Sequence, residues 1–412
     1  MSGLNFLNKL LDGVDVEWLS LGELGDFIRG NGLQKKDFVE SGFPAIHYGQ
    51  IYTRYGLSAD KTFTYVLPEL ANKLRKAQKN DLLLATTSEN DEDVVKPLAW
   101  LGDNVAISGD MMLFHHEQNV KYLAYFFQSE IFQTQKMKYI TGAKVRRVSS
   151  GDLSKIKIPI PCSNNPEKSL AIQSEIVRIL DKFTALTAEL TAELTAELNM
   201  RKKQYNYYRD QLLSFKDGEV EWKTLGEVAQ YSKTRISFEL LDERNYVGVD
   251  NLLQNRAGKS LSNHVPTSGK LTEFIPNDIL IGNIRPYLKK IWQADCIGGT
   301  NGDVLVIRCI DSSINTRYLY QILADDKFFE YNMQHAKGAK MPRGSKEDIM
   351  KYPIPVPPLT LQARIVEILN KFDTLTNSIT EGLPREIELR QKQYEYYRDL
   401  LFSFPKPETV SN

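Results

Sequence analysis

The sequence predicts two domains of mixed α/β (α+β) structure, each followed by a long helix, with the two helices paired as an antiparallel coiled coil. Three observations predict this fold class: a repeat that spans most of the chain, apolar residues at helical spacing after each domain, and strand-like and helix-like segments in the same order in both halves. Pairing of the two helices would relate the halves by a pseudo-twofold axis.

The repeat is clearest in the two predicted helices. Residues 172–187 read IQSEIVRILDKFTALT, and residues 361–376 read LQARIVEILNKFDTLT. The run RKKQYNYYRDQLLSF at 201–215 returns at 390–404 as RQKQYEYYRDLLFSF, again 189 positions later. This period is far too long for a solenoid, so it indicates tandem duplication of a whole domain together with its helix.

The segment from Leu170 to Phe215 is predicted to form one helix of some forty-five residues, because apolar residues recur at helical spacing and neither Pro nor Gly interrupts it. At about 1.5 Å per residue it would span roughly 65–70 Å. Its apolar stripe needs a partner, and the second copy is the obvious one. Gly382 and Pro384 predict a kink or break in that second copy.

Three consecutive TAEL blocks, at 187–190, 191–194 and 195–198, form the centre of the first predicted helix. A block of four residues advances a helix by about 6 Å and overshoots one turn by about 40°. Blocks can therefore be added or lost while the helix continues, although the apolar seam shifts. Two interpretations stay open: a simple coiled coil, or a spacer whose length can change.

The segments between the helices predict the same order of elements in both halves. The predicted elements are strands at 81–87 and 106–114 and a helix at 120–135 in the first half, and strands at 278–284 and 302–309 and a helix at 316–332 in the second. Each half then reaches a Gly-Ala-Lys motif, TGAKVRR (141–147) or KGAKMPR (337–343). Because the helices are alike while the domains have diverged, we infer two similar tasks on two different targets.

The composition is that of an ordinary globular protein, with 42% hydrophobic and 25% charged residues among 412. The three cysteines are too few and too scattered for a disulfide framework or a zinc site. No apolar run has the length of a membrane span, and no signal pattern precedes the first domain, so we expect a reduced cytoplasmic protein. The 52 basic and 52 acidic residues balance, which suggests that any DNA contact is selective or shared with a more basic partner.

The paired helical regions, the TAEL blocks and the QYxYYRD motifs at 204–210 and 393–399 resemble the specificity subunits (HsdS) of type I restriction-modification enzymes, most closely the type IC group. The resemblance covers the whole chain. It implies two target recognition domains, each reading one half of a bipartite, asymmetric DNA site, with helices that set the gap between the halves. The domains implied are 1–165 (N-terminal target recognition domain), 166–217 (central helical spacer), 218–358 (C-terminal target recognition domain) and 359–412 (C-terminal helical region).

The resemblance also implies partners and a division of labour. Two modification subunits would carry S-adenosylmethionine and methylate adenine, and restriction subunits would carry the ATPase and nuclease with ATP and magnesium. The segment NKLLDGVDVEW (8–18) is similar to QLLSFKDGEVEW (211–222), and the chain stops soon after LLFSF. Joining the ends would complete a cycle of two units, as the circular pseudo-symmetry of the family implies.

The chain itself is expected to be noncatalytic and to hold no cofactor or metal. It lacks an Asn/Asp-Pro-Pro-aromatic motif beside a Gly-rich loop, and the nearest string is NNPE at 164–167. It also lacks a phosphate-binding GxxxxGK[ST] loop and any Cys/His grouping with metal spacing. The rival hypotheses are a fused methyltransferase or nuclease that acts alone, and a coiled-coil scaffold that never touches DNA.

The best candidates for DNA contact surround the Gly-Ala-Lys motifs, where Gly backbone amides and Lys can hold phosphates while Arg reaches guanine. They are Lys136, Lys138, Lys144, Arg146 and Arg147 in the first half, and Lys337, Lys340 and Arg343 in the second. The alternative is a solvated basic turn. The strand ends add Thr86, Thr87 and Ser88 in the first half and Arg285, Tyr287, Lys289 and Lys290 in the second, although such residues also commonly stabilise turns. Weaker candidates are Gln50, Tyr52 and Arg54, with Asn251, Gln254 and Asn255.

The QYxYYRD motifs supply the candidates for partner binding, which are Tyr205, Tyr208 and Arg209 in the first copy and Tyr394, Tyr397 and Arg398 in the second. Together with Tyr207 and Tyr396, these tyrosines either pack where helices meet domains or form a docking surface for the modification subunits. The sequence leaves both interpretations open.

Overall fold

The computed structural model describes residues 11, 13–216, 218–378 and 380–404. The predicted match between residues 8–18 and 211–222 falls partly outside these residues. The chain divides into two compact units, which we call the first unit (1–189 with 391–412) and the second unit (190–390). Among the described residues, no helix is both long and apolar enough to cross a membrane.

The first domain, in the first unit, contains strands β1 to β13 and short helices α1 to α6. The strands are Val16–Ser20, Gly25–Arg29, Phe43–Ile46, Ser58–Ala59, Thr64–Val66, Lys76–Ala77, Leu82–Ala85, Thr87–Ser88, Lys96–Trp100, Val105–Ile107, Met111–His116, Arg146–Arg147 and Lys157–Pro161. The helices are Leu21–Leu24, Tyr48–Thr53, Pro68–Ala71, Val120–Gln128, Glu130–Lys136 and Ser150–Leu153.

A five-stranded sheet of order β2-β11-β7-β9-β4 lies at the centre of the first domain, beside a four-stranded sheet of order β5-β3-β10-β6. Strand β7 is apolar without alternation because both of its faces are buried. Leu82 and Leu84 belong to the core cluster that includes α4, whereas Leu83 and Ala85 belong to the cluster shared with β10. The strand predicted at 81–87 is therefore the middle of the domain.

The second domain, in the second unit, contains strands β14 to β23. They are Glu221–Thr224, Ala229–Tyr231, Arg235–Ser237, Tyr246–Val247, Lys270–Phe274, Ile279–Gly282, Ile291–Gln293, Gly298–Thr300, Val304–Cys309 and Pro353–Val356. Its sheets have the orders β15-β22-β19-β20 and β16-β18-β21-β17. The long central helix α7 spans Pro166–Leu212 and precedes this domain. The short helices that follow it are α8 Leu225–Val228, α9 Thr316–Leu323, α10 Asp326–Gln334 and α11 Lys346–Ile349.

One helix was predicted in each domain where the structure has two. Helix α4 ends before Ser129, whose hydroxyl caps α5 by accepting from the amide of Phe132. In the second domain Asp325 caps α10 in the same way, by accepting from the amide of Lys327. A buried capping residue inside an apolar pattern explains the difference, because periodicity continues through the break while the backbone does not.

The central helix α7 is continuous over 47 residues, as the uninterrupted apolar spacing predicts. The second copy forms two helices, α12 at Leu359–Asn377 and α13 at Leu383–Phe402. Gly382 precedes α13 with a φ of +85°, and a Cβ there would lie 2.4 Å from the carbonyl oxygen of Thr374. Only glycine fits this turn, so the predicted break is confirmed with its cause.

Equivalent aromatic residues join the helices inside each unit. In the first unit Phe183 stacks on Tyr397 with ring centroids 5.4 Å apart. In the second unit Phe372 stacks on Tyr208, also at 5.4 Å. Phe183 and Phe372 are 189 positions apart, as are Tyr208 and Tyr397. Each contact therefore joins one copy of the repeat to the other, and the predicted fold class is confirmed.

Candidate DNA interface

Hydrogen bonds repeated in both domains identify equivalent positions that sequence comparison leaves uncertain. The hydroxyl of Tyr122 donates to the carbonyl of Pro159 at 2.7 Å, and that of Tyr318 donates to Pro355 at 3.1 Å. The two bonds have the same spacing in the chain, with donors and acceptors each 196 positions apart. This correspondence also matches the two Gly-Ala-Lys motifs.

Both Gly-Ala-Lys motifs form the same hairpin. In the first domain the backbones of Thr141 and Arg147 exchange two hydrogen bonds of 2.9 Å, and in the second Lys337 and Arg343 do the same at 2.9 Å. Gly142 has a φ of +93°, and a Cβ on it would lie 2.1 Å from the carbonyl oxygen of Val145. The matched motif is thus a matched backbone turn that requires glycine. We call these turns the first hairpin (141–147) and the second hairpin (337–343).

Each hairpin pairs with the strand end that was predicted as a second group of candidates. Arg146 and Arg147 pair with Ser88 and Thr87. In the second domain Arg343 pairs with Ile284, and the amide of Arg285 donates to the carbonyl of Pro342 at 2.8 Å. The fold therefore brings together, in each domain, two groups of candidates that are more than 45 residues apart in sequence.

The first hairpin presents basic side chains to solvent. Lys138, Lys144 and Arg147 are exposed. Arg146 is half-buried, its Nε lies 2.8 Å from Oδ1 of Asp91, and its Nη1 donates to the carbonyl of Gly142. Among the described residues the side chains of Lys138, Lys144 and Arg147 have neither an ion pair nor a side-chain hydrogen bond, so they are available to an anion.

The second hairpin is similar. Lys337 and Lys340 are exposed, and Arg343 lies 2.7 Å from Asp303. Beside it Arg285 is exposed and has a φ of +53°, an uncommon conformation for a residue with a side chain. Tyr287 is 50% exposed. Basic and aromatic groups therefore share one surface of the second domain.

Several predicted DNA contacts are not accessible. Lys136 is fully buried, and its Nζ donates to the carbonyls of Glu92 at 2.9 Å and Val94 at 3.0 Å. Burial lowers the pKa of Lys136 to about 8. Thr86 and Thr87 are buried where the strand leaves the sheet, and Thr86 donates to the carbonyl of Asp110. Because these three side chains are buried, they are not accessible for a direct contact with DNA.

Other candidates have structural partners. Lys289 donates to Asp326 at 2.7 Å, and buried Lys290 donates to the carbonyl of Val249. The hydroxyl of Tyr52 lies within hydrogen-bonding distance of three carbonyl oxygens, and burial raises the pKa of this hydroxyl. Asn251 is buried and donates to the carbonyl of Tyr246. These contacts hold loops in place.

The predicted partner-binding residues divide by exposure. Tyr205 is buried and donates to Gln321 at 3.0 Å, while Arg209, also buried, lies 4.1 Å above its ring. Tyr394 accepts from Thr184 at 3.1 Å. Arg398 is largely buried and pairs with Asp399. Tyr205 and Arg209 hold the central helix against the second domain, as the packing alternative expected, and Tyr394 joins the two helices of the first unit.

The exposed members of the motifs are their middle tyrosines. Tyr207 is 60% exposed and Tyr396 is 62% exposed, whereas Tyr208 and Tyr397 stack on phenylalanines and remain 43% and 36% exposed. Helical geometry could have singled out Tyr207, because residues two positions apart on a helix do not share a face. It lies away from the face that Tyr205 and Arg209 bury.

The sequence profile of the family described as type I restriction modification DNA specificity domain matches residues 13–200 and 218–389. The chain belongs to this specificity-domain family. The resemblance that the helical repeats indicated is thereby confirmed, and both the first and the second hairpin lie inside the matched segments.

Relatives in the specificity-domain family are similar along their whole length. The EcoR124I/EcoR124II type I restriction enzyme specificity subunit of Escherichia coli is 42% identical over 427 residues, which cover 100% of both chains. The EcoprrI specificity subunit of Escherichia coli is 34% identical over 408 residues, covering 92% of this chain and 93% of the relative.

Solved structures agree with the fold. A chain from a structure on complex assembly and conformational transition of the type I R-M system has a TM-score of 0.60 at 16% identity and covers 94% of this chain and 97% of its own length. The HsdS subunit from Thermoanaerobacter tengcongensis has a TM-score of 0.50 at 15% identity, covering 94% and 96%. At these identities the likeness concerns the fold alone.

Proposed function

We propose that this chain is the DNA-recognition (specificity) subunit of a type I restriction-modification complex, in which each domain reads one half of a bipartite, asymmetric site. The observation that carries the proposal is a hairpin with the same backbone geometry in both domains, surrounded by exposed basic side chains that differ between them. A shared framework with different side chains is what two different half-sites require.

The exposed residues of the hairpins divide by chemistry. Lys138, Lys144, Lys337 and Lys340 suit phosphate oxygens, which fix the register of a protein on DNA without reading sequence. Arg147, Arg285 and Arg343 suit the O6 and N7 acceptors of guanine in the major groove. Tyr287, which is 50% exposed, is the proposed contact to a sugar or base beside Arg285.

The two strand ends suggest half-sites of different composition. Ser88 pairs with Arg146 of the first hairpin, and Arg285 holds the corresponding place beside the second hairpin. The loop that follows is acidic in the first domain, with Glu89, Asp91, Glu92 and Asp93, whereas in the second domain Lys289 and Lys290 are engaged by Asp326 and by the carbonyl of Val249. We infer that the second half-site is the richer in guanine contacts.

The proposal assigns the chemistry to partners. Two modification subunits would bind S-adenosylmethionine and methylate adenine, and restriction subunits would use ATP and magnesium, all in the cytoplasm. Tyr207 and Tyr396, with the partly exposed Tyr208 and Tyr397, are the proposed contacts for the modification subunits, since exposed aromatic residues are common at protein interfaces. The predicted division at 165/166, 217/218 and 358/359 is kept as the proposed division into recognition and spacer segments.

Methylation mapping tests the proposal. A genome that carries this chain with its modification subunits should contain methylated adenines within one bipartite motif. Arg147→Ala should change the preference in one half of the motif, and Arg343→Ala should change it in the other. A single contiguous motif, or no dependence of the motif on either arginine, would contradict the assignment.

Two further measurements address the rival functions. The purified chain alone, given labelled methyl donor and DNA, should transfer no methyl group, and transfer would support a fused enzyme. Replacing Arg146, Arg147 and Arg343 together by alanine should reduce DNA affinity, and an unchanged affinity would support a scaffold that never touches DNA.

A further inference from the structure

Lys136 is a buried cation to which the proposed function gives no role. It is the last residue of α5, and its Nζ donates to the carbonyl oxygens of Glu92 at 2.9 Å and Val94 at 3.0 Å. Both carbonyls belong to the loop 88–95, which continues from the strand end at Thr87 into β9. Lys136 therefore lies beneath a surface loop without contact with solvent, and its ammonium group donates hydrogen bonds to the backbone of that loop.

A second, partly buried side chain holds the same loop from α2. The hydroxyl of Tyr52 lies 3.2 Å from the carbonyl oxygen of Asp93 and 3.0 Å from that of Thr87. A hydroxyl has one proton, so it donates to one of these acceptors at a time. The carbonyls of residues 92, 93 and 94 are therefore all within reach of donors that lie outside the loop.

The loop contains a strained backbone conformation at Val95, which persists only because surrounding residues hold it. Val95 has a φ of +68° and is buried. A β-branched residue in the left-handed region is a genuine outlier, and it persists only where the surroundings over-determine it. The carbonyl of Val94, which Lys136 holds, immediately precedes the strained residue.

The loop is connected to the first hairpin through one ion pair. Oδ1 of Asp91 lies 2.8 Å from Nε of Arg146, and Nη1 of Arg146 donates to the carbonyl of Gly142. Within the part of the chain that the structure describes, Nη2 of Arg146 has no partner. The carboxylate therefore holds the guanidinium by charge rather than through an aligned hydrogen bond, and Nη2 is left available to a ligand.

We propose that Lys136 is a positioning residue for DNA recognition by the first domain. By holding the loop 88–95, it keeps Asp91 where that carboxylate orients Arg146 and ties the first hairpin to the strand end. The inference rests on the proposed function, because it concerns how the first hairpin reads its half-site. Lys136 does not touch DNA; it acts through Asp91.

The arrangement belongs to the first domain alone. The corresponding residue of α10 is Asn332, which is fully buried but whose amide atoms have no hydrogen-bond partner among the described residues. The loop after Arg285 is held differently, since the amides of Asn255 and Arg256 donate to the carbonyls of Leu288 and Lys289. Loss of Lys136 should consequently affect the first half-site and spare the second.

The experiment compares Lys136→Met with Lys138→Met in the full-length chain co-purified with its modification subunits. Each complex selects from a pool of randomised duplex DNA, and the selected duplexes are sequenced. Lys136→Met should reduce base discrimination in the first half-site on the order of tenfold or more, since one well-placed contact gives about that factor. The second half-site and the salt dependence of binding should not change.

Lys138→Met is the matched control. It removes the same charge two residues away, but its side chain is exposed and is proposed to contact phosphate. It should weaken binding uniformly, reduce the slope of log affinity against log salt by about one, and leave both half-sites unchanged.

Asp91→Asn keeps the proposal testable if Lys136→Met does not fold, because Asp91 is near the surface. It should broaden the same half-site, and the double variant should be no worse than the single ones, since both act on one contact. An unchanged first half-site in Asp91→Asn, equal broadening of both half-sites in Lys136→Met, or additive effects would overturn the proposal. If the unmodified complex selects no bipartite motif, the proposed function itself fails.

Discussion

Arg343 and Asp303 form an ion pair in which Nη1 and Oδ1 lie 2.7 Å apart, although the arginine side chain is 55% exposed. Asp303 precedes β22, and Arg343 closes the second hairpin. An exposed pair of this kind contributes little to stability, but it fixes the orientation of a guanidinium that remains largely exposed. That orientation is useful if Arg343 reads a base.

Replacing Arg343 by alanine should therefore lower specific DNA binding while leaving unfolding almost unchanged. A bidentate arginine–guanine contact discriminates by about 1–3 kcal/mol, and a surface ion pair gives about 0–1 kcal/mol of stability. Competition binding and thermal unfolding measure the two effects. Arg364→Ala, at an exposed position of α12, is the control and should alter neither.

The lysines of the second hairpin should behave differently from its arginine. Lys337→Ala and Lys340→Ala should each weaken binding to all sequences alike and reduce the salt slope by about one, because each variant leaves about one phosphate without its cation. Binding titrations between low and moderate salt measure this slope. A change in the preferred base after either substitution would show that the lysine reads sequence instead.

Deleting one TAEL block, residues 191–194, should shorten the preferred gap by about one base pair and leave both half-sites unchanged. The block rotates the helix by about 40°, close to the 34–36° twist per base pair that 10–10.5 base pairs per turn imply. The rise of the block, about 6 Å, exceeds one base-pair step. The match between the rotation of the block and the twist of DNA therefore accounts for only part of the expected change in the gap.

Methylation mapping of the deletion variant measures the gap. Thr191→Ala, which keeps the length of the block, is the control and should leave the gap as it was. Altered half-sites or an unaltered gap in the deletion variant would refute the spacer interpretation.

Gly382→Ala should destabilise the second unit by more than about 1 kcal/mol. Its φ of +85° strains any residue with a side chain, and the added Cβ would meet the carbonyl oxygen of Thr374. Gly151→Ala is the control, because its Cβ would have no atom within 4 Å and its φ is not positive. Chemical denaturation of both variants should separate them, and equal stability would contradict the prediction.

Lys136 should make stability rise with pH in the mildly alkaline range. Its pKa is about 8 when folded and 10.5 when unfolded, so between these values the unfolded chain binds more protons and the free energy of unfolding increases with pH. The increase attributable to this group is about 2 kcal/mol from pH 7 to 9.5. Lys136→Met should lack it, and parallel pH profiles for the two proteins would exclude the shifted pKa.

The two hairpins show which features of the site can be identified by comparing the two halves of the sequence. Their Gly-Ala-Lys motifs are local, so the sequence identified both turns and the candidates around them. Their pairing with Thr87, Ser88 and Ile284 depends on how the sheets are ordered, which no local pattern specifies.

Burial explains why some candidates chosen from the sequence are not accessible in the structure. Lys136 and Lys138 are two residues apart and equally basic, yet the first is buried and the second exposed. Tyr205 and Tyr207 differ in the same way. Residue type is identical within each pair, so exposure had to come from the surrounding fold.

The sequence by itself determined the duplication, the continuous central helix, the break at Gly382 and the family, because periodicity, glycine and repeated motifs are signals carried by neighbouring residues. Only the tertiary structure decided which basic and aromatic side chains reach solvent, and that loop 88–95 is held from beneath by Lys136 and Tyr52. Those outcomes depend on contacts between segments distant in the chain, whose free energies are set by packing and desolvation.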